Sequence, residues 1–295
     1  MGRAAVREET KGGVAVSAAG LELNGSRGTV FRDVAVEAGP GALIAVDGPS
    51  GSGRSCLLLT LTGRMRPTGG HAEVGGHRLP RRAAAVRRFS ALGPVPGVTD
   101  LEPALTVAEH LRERALLQRR FGAPLRALLT PRRERTAAAR ARLDTALAAA
   151  GLDLDALPKG PRTRVRDLDR LEAFRLGTAL ALTGEPRLLA VDDVGFKLPA
   201  DDCRAAWSVL YGVAAAGTTV LAVGTPPPPG GGAPEPEPAG GVVTVRTGRP
   251  QADPEAGTGR TADAEAADAD ADAADADAAD AEAADAPRTP AEERV

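Results

Sequence analysis

The sequence predicts an α/β fold: a sheet with flanking helices, N-terminal antiparallel strands and an inserted helical subdomain. Three observations predict it. Short apolar runs at 42–46, 187–191 and 218–223 read as strands buried on both faces, because they show no polar alternation. Stretches of helical length and composition, at 56–65, 168–184 and 201–215, separate those runs. Between the first strand group and the last, 98–167 carries helix formers and no strand signals, as an insertion into an α/β body does.

The 295 residues allow one or two domains, and 43% hydrophobic content supports a packed core. Aromatics are 2%, so that core is built from Leu, Val and Ala. Lysine occurs only at Lys11, Lys159 and Lys197, leaving 34 of 37 basic residues as arginine. Such bias marks a GC-rich, bacterial genome and weakens inference from any single arginine. The net charge of −2 divides unevenly: 251–295 holds 14 acidic and 3 basic residues, so the tail is −11 and the rest +9. Cys56 and Cys203 are distant and match no metal spacing, which reads as two small buried residues. No N-terminal apolar segment suggests a signal peptide, and the longest nearly apolar stretch, 213–223, is too short to span a bilayer.

In chain order, 1–13 reads as a flexible N-terminus and 14–250 as the folded body. Alternating apolar and polar residues at 14–23 and 29–37 predict two antiparallel strands joined by a turn at 25–28. Gly39-Pro40-Gly41 precedes the first buried strand. The helix after it is expected to run to about Met65, closed by 67–70. A short strand at 71–74, a helix over 81–88 and a strand at 89–92 follow. Thr106 with Glu109 has the spacing of a capping box opening a helix to about Arg120. A second helical stretch, 124–150, is interrupted near Pro131 and stopped by Gly151. After the later strands, 226–232 closes the body, with Val242–Arg246 as a last edge strand.

The chain is organised around Gly48-Pro49-Ser50-Gly51-Ser52-Gly53-Arg54-Ser55, set between a buried strand and a helix opening at Cys56. The spacing is that of a phosphate-binding loop with arginine at the lysine position. Glycine lets successive N–H groups turn inward, and the helix N-terminus adds positive potential, so phosphate oxygens find donors and charge together. Arginine keeps the charge but presents a planar fork in place of a compact ammonium. The strand at 188–191 delivers Asp192, suited to Mg²⁺, and Asp193, suited to orienting or deprotonating water. Together these predict a P-loop NTPase sheet that takes a phosphate-bearing ligand with Mg²⁺. Gly48 to Cys56 form the nucleotide set, Ser55 and Asp192 the metal ligands, and Asp193 the catalytic carboxylate.

Over 14–246 the chain resembles an ABC transporter ATP-binding subunit. Four stretches carry the resemblance: Gly48 to Ser55; Leu105-Thr106-Val107-Ala108-Glu109-His110-Leu111; the frame Leu168, Arg175, Pro186 and Leu189; and Val191-Asp192. The resemblance implies ATP with Mg²⁺ as cofactors at Gly48 to Ser55, a helical subdomain at about 98–167, dimerisation with a second cassette of the same or another chain, and coupling to a membrane permease. It implies a cytoplasmic location, peripheral to the inner face of the plasma membrane. The departures are specific. The family's glutamine falls on Gly97, and its signature on Leu168-Asp169-Arg170-Leu171-Glu172, where only the leucine matches. The catalytic glutamate is Asp193, the aspartate of the following loop falls near Pro199, and the switch histidine falls on Thr225. No aromatic stands near Asn24–Gly25 to stack on adenine, and Cys56 replaces a hydroxyl.

Losing one positioned donor costs about 10²–10³ in rate. Several such losses make a weak or inactive regulatory cassette the alternative to a motor. A small-molecule P-loop kinase leaves Leu105–Leu111 and the Leu168–Asp192 frame unexplained. The acidic tail and the lack of interleaved aromatics argue against nucleic acid. Residues 251–295, alternating alanine with acid, read as a disordered tail, since like charges at helical spacing repel.

Overall fold

The structure, a computed structural model, describes residues 12–26, 28–121, 131–226 and 236–248. The expectations for the first residues, the Pro/Gly-rich stretch and the acidic tail fall outside these.

Two sheets share the described body. The antiparallel sheet has the order β2-β1-β4-β5, from β1 (Val16–Gly25), β2 (Gly28–Ala38), β4 (Gly69–Val74) and β5 (His77–Leu79). The turn at Gly25 and Gly28 closes the first pair as expected, with those two residues opposite one another. The parallel sheet runs β6-β7-β8-β3-β9. Its strands are β6 (Ser90–Leu92), β7 (Leu188–Val191), β8 (Thr219–Val223), β3 (Leu43–Asp47) and β9 (Val242–Arg246). The three buried apolar runs become β3, β7 and β8, in the centre, where both faces must be covered. β9 lies at the edge beside β3, in register from Leu43↔Val242 to Asp47↔Arg246.

The helices are α1 (Arg54–Leu61), α2 (Ala83–Phe89), α3 (Val107–Phe121), α4 (Arg132–Ala149), α5 (Arg170–Leu182) and α6 (Ala200–Ala215). α1 is shorter than expected. Gly63, at φ 72, forms its left-handed stop, and the Gly63 and Arg64 amides bond to Thr60 O at 2.9 Å and Leu59 O at 2.8 Å. That closing arrangement satisfies the helix's last carbonyls four residues before the proline taken as its end. The three-residue β5 gave too short a signal to be read. Among the described residues no helix is long and apolar enough to cross a membrane.

Three cores hold these layers. Ile44, Val46, Leu188 and Val223 join α1 and the antiparallel sheet on one face of the parallel sheet. Leu43, Ala45, Leu189 and Val220 pack with Phe174, Trp207 and Leu210 of α5 and α6 on the other. The helical block has its own core, with Val107 and Leu111 of α3, Leu147 of α4 and Leu176 of α5. Its two ends are tied by a single antiparallel bridge, Thr106 to Arg164, with Val107 N donating to Thr163 O and Val165 N to Leu105 O, both at 2.9 Å. Alternation along β3 and β7 thus fixes which residues look toward α1 and which toward α5 and α6.

Candidate functional site

β3, α1 and the turn between them build the loop. Gly48, Gly51 and Gly53 have φ of 150, 80 and 81. A Cβ at Gly48 would lie 2.5 Å from Thr247 O, and one at Gly53 would lie 2.6 Å from Val30 O. Both contacts exclude any side chain. A Cβ at Gly51 meets nothing within 4 Å, so that glycine faces open space. Ser52 N donates to Pro49 O at 3.2 Å, and Leu57 N to Gly53 O at 2.8 Å, which seats the turn on α1. Helix α1 begins at Arg54 with no side chain capping its N-terminus, which leaves its first amides without a side-chain acceptor.

Beneath the loop lies a contact that the motif does not contain. Ser52 Oγ and Thr247 Oγ1 are 2.6 Å apart, both buried. Thr247 follows β9, and its N–H donates to Asp47 O at 2.9 Å. The edge strand therefore fastens the base of the loop.

β7 places Asp192 beside α1. The parallel order leaves Asp192, Thr225 and Asp47 at the carboxyl ends of β7, β8 and β3. Asp192 is 5% exposed, and burial raises its carboxyl above the ordinary range; the Asp193 carboxylate pushes the same way. The Ser55 hydroxyl, the Asp193 amide at 2.8 Å and the Arg54 charge work in the other direction. Burial likewise raises the Cys56 thiol, with the Asp192 charge adding to it, and the Cys56 side chain packs against the core beside α1. Asp193 sits at φ 50, a left-handed conformation aspartate tolerates, and Gly195 and Lys197 follow at 84 and 59. These turns leave Phe196 62% exposed with Lys197 Nζ 5.0 Å from its ring centre. A cavity of about 350 Å³ opens beside Asp192 and Asp193, walled by Pro94, Thr99, Arg170 and Phe174.

The structure thus brings Ser55, Cys56, Asp192 and Arg54 to one place and sets Asp193 next to them. Gly97 lies on an exposed turn, its N–H donating to Asp100 Oδ2 at 2.9 Å. The stretch at Leu168–Glu172 has a structural use. Asp169 caps α5, with Glu172 N donating to Asp169 Oδ1 at 2.7 Å and Asp169 N donating to Glu172 Oε2 at 2.9 Å. Thr225 Oγ1 donates to Asp47 Oδ1 at 2.8 Å. Asp47 and Thr247 were not singled out in the sequence: an aspartate before the loop and a threonine after an edge strand carry no spacing signal.

A protein-family model described as ABC transporter matches residues 31–194. The chain belongs to the ABC transporter family. The chain is 30% identical over 192 residues to Nod factor export ATP-binding protein I of Cupriavidus pinatubonensis, covering 65% of this chain and 53% of that protein. It is 35% identical over 224 residues to arabinose import ATP-binding protein AraG 2 of Burkholderia thailandensis, covering 74% of this chain and 39% of that one. The chain spans about half the length of the Nod factor export relatives it matches, 53%, 57% and 56% of three of them. The dimeric structure of the bacterial ABC transporter cassette MJ0796 superposes with a TM-score of 0.56 at 18% identity, covering 80% of this chain and 97% of that one. A bacterial Atm1-family ABC exporter with ATP bound gives 0.53 at 20% identity, covering 71% and 34%. These superpositions establish the ABC cassette fold: parallel sheet, flanking helices and antiparallel N-terminal sheet.

Proposed function

We propose that this ABC family member is the ATP-binding subunit of a transporter, binding Mg·ATP and working on a separate membrane permease from the inner face of the plasma membrane, paired with a second cassette. The observation that carries the reading is the glycine-turned loop Gly48–Ser55 running into the N-terminus of α1, which no side chain caps, with Asp192 buried beside it at the end of β7. The residues fit the nucleotide: backbone donors and Arg54 suit phosphate oxygens, and Ser55 with Asp192 offers the hard oxygen ligands that Mg²⁺ takes. Among the described residues no cluster of three or more His, Cys, Asp or Glu side chains is arranged to hold a metal. A cation here therefore depends on phosphate ligands, as Mg²⁺ at such loops does. Bound Mg²⁺ supplies charge neutralisation at the phosphates. The loop amides bind the phosphates, Arg54 reaches the outer ones, and Asp193 stands next to Asp192 to hold a water. Cys56 contributes its backbone N–H in the first turn of α1.

The second reading, a weak or inactive cassette with a regulatory or structural role, is favoured by two contacts. The signature-position residues Asp169 and Glu172 are engaged in capping α5, and Thr225 is engaged with Asp47. Equilibrium binding and single-turnover hydrolysis of Mg·ATP on the full chain separate the readings. Binding with turnover that Asp192→Asn abolishes supports the motor; binding without turnover supports the regulatory cassette. No binding at millimolar Mg·ATP contradicts both.

A further inference from the structure

The strand entering the phosphate loop ends in a charge of the same sign as the ligand. Residues 43–46 of β3 are fully buried, yet Asp47 follows them directly and precedes Gly48. Its carboxylate is fixed from several sides. Thr225 Oγ1, two residues beyond β8, donates to Oδ1 at 2.8 Å. Thr247 N holds the Asp47 carbonyl at 2.9 Å, and Arg246 stands opposite in the β3–β9 register. The Thr247 bond fixes the backbone that carries the side chain and the Thr225 bond fixes the carboxylate itself, from segments that follow the strands on either side of β3. The contacts leave a carboxylate directly before the loop, and the Arg54 charge acts on Asp47 and Asp192 alike.

We propose that Asp47 is a specificity-determining residue that sets the balance between nucleoside triphosphate and diphosphate at this loop, by holding a fixed negative charge at the end of β3. This rests on the nucleotide-binding reading above. Each added phosphate brings further negative charge to a loop that already faces one carboxylate through Asp192. Asp47 adds a second, and its repulsion grows with the charge of the ligand. Arg54 is shared between carboxylates and phosphates, so it compensates the added phosphate incompletely.

The test is equilibrium titration of the full chain with Mg·ATP and with Mg·ADP. Neighbouring unit charges at the intermediate dielectric of a protein surface shift an equilibrium by about tenfold or more. Asp47→Asn keeps an acceptor for Thr225 and removes the charge; it is expected to tighten Mg·ATP about tenfold and Mg·ADP less than about threefold. Asp47→Glu keeps the charge and is expected to retain the wild-type ratio of the two affinities. Should the Asn variant fail to fold, Asp47→Ser is the neutral substitute, with the same expected change in ratio. An unchanged ratio in the neutral variants, or ATP and ADP affinities moving together, overturns the proposal while leaving nucleotide binding in place. Failure of the wild type to bind either nucleotide overturns the underlying reading, and this proposal with it.

Discussion

At Asp47 one carboxylate is stabilised chiefly by the Thr225 hydroxyl, then by the Gly48 amide, with Arg246 and Arg54 adding charge, and its pKa falls below the ordinary range despite partial burial. The native state therefore binds this proton less readily than the unfolded chain, which titrates at about 3.9. Stability from this group is present above about pH 4 and is lost as pH falls through the lower native value. Asp47→Asn is expected to flatten the acid limb of stability against pH relative to wild type, read by urea unfolding at pH 5 and below; an acid limb identical to wild type would contradict the assignment. Gly53 makes a second residue-scale case. An alanine there must hold φ 81 and place its Cβ 2.6 Å from Val30 O, so Gly53→Ala is expected to cost about 1–3 kcal/mol of stability. It is also expected to weaken Mg·ATP binding by misplacing the loop amides, checked by thermal melts and titration. The loop glycines were legible because spacing alone encodes them. The Ser52–Thr247 clamp was not, because its partners lie 195 residues apart and meet only through strand order.

At the scale of elements, helix ends decide much of what the sequence showed and concealed. The Thr106–Glu109 box was read, and it forms: Thr106 N donates to Glu109 Oε2 at 2.8 Å and Glu109 N to Thr106 Oγ1 at 3.3 Å. The same spacing at Asp169–Glu172 was assigned only to a lost signature, although its capping chemistry is equally local. Asp169→Ala is expected to cost about 1 kcal/mol through loss of the N-cap. Asp169→Ser is expected to cost much less, since serine also accepts from the third amide; urea midpoints of the two variants test this. Thr247→Val leaves a buried Ser52 hydroxyl without its partner and is expected to cost about 1–3 kcal/mol, with Thr247→Ser restoring most of it. Strand order was the least legible feature. β9 is a half-exposed five-residue run, and nothing local assigns it to the side of β3 rather than to another edge.

At the scale of the whole molecule, the two faces of the parallel sheet and the helical block carry separate cores, and Trp207 lies at 0% exposure in the one under α5 and α6. It is the only tryptophan, so its fluorescence reports unfolding of that layer. Among the described residues its indole N–H finds no hydrogen-bond partner, so Trp207→Phe forfeits packing volume but none of the bonds seen there. Trp207→Ala is expected to cost about 3–5 kcal/mol by cavity formation, and Trp207→Phe clearly less, in denaturant melts followed by circular dichroism. The α/β class was legible because alternation at 14–23 and 29–37 and unbroken apolar runs at 42–46, 187–191 and 218–223 each dictate one kind of strand. The central claim is that Gly48–Ser55, backed by Asp192, is where nucleotide binds. Amide hydrogen exchange on the full chain, with and without Mg·ATP, tests it most directly. New protection is expected at 48–57 and at 192–193, lost when Mg²⁺ is withheld from Asp192 by Asp192→Asn; protection confined to other segments, or none at saturating Mg·ATP, would rule out nucleotide at this loop.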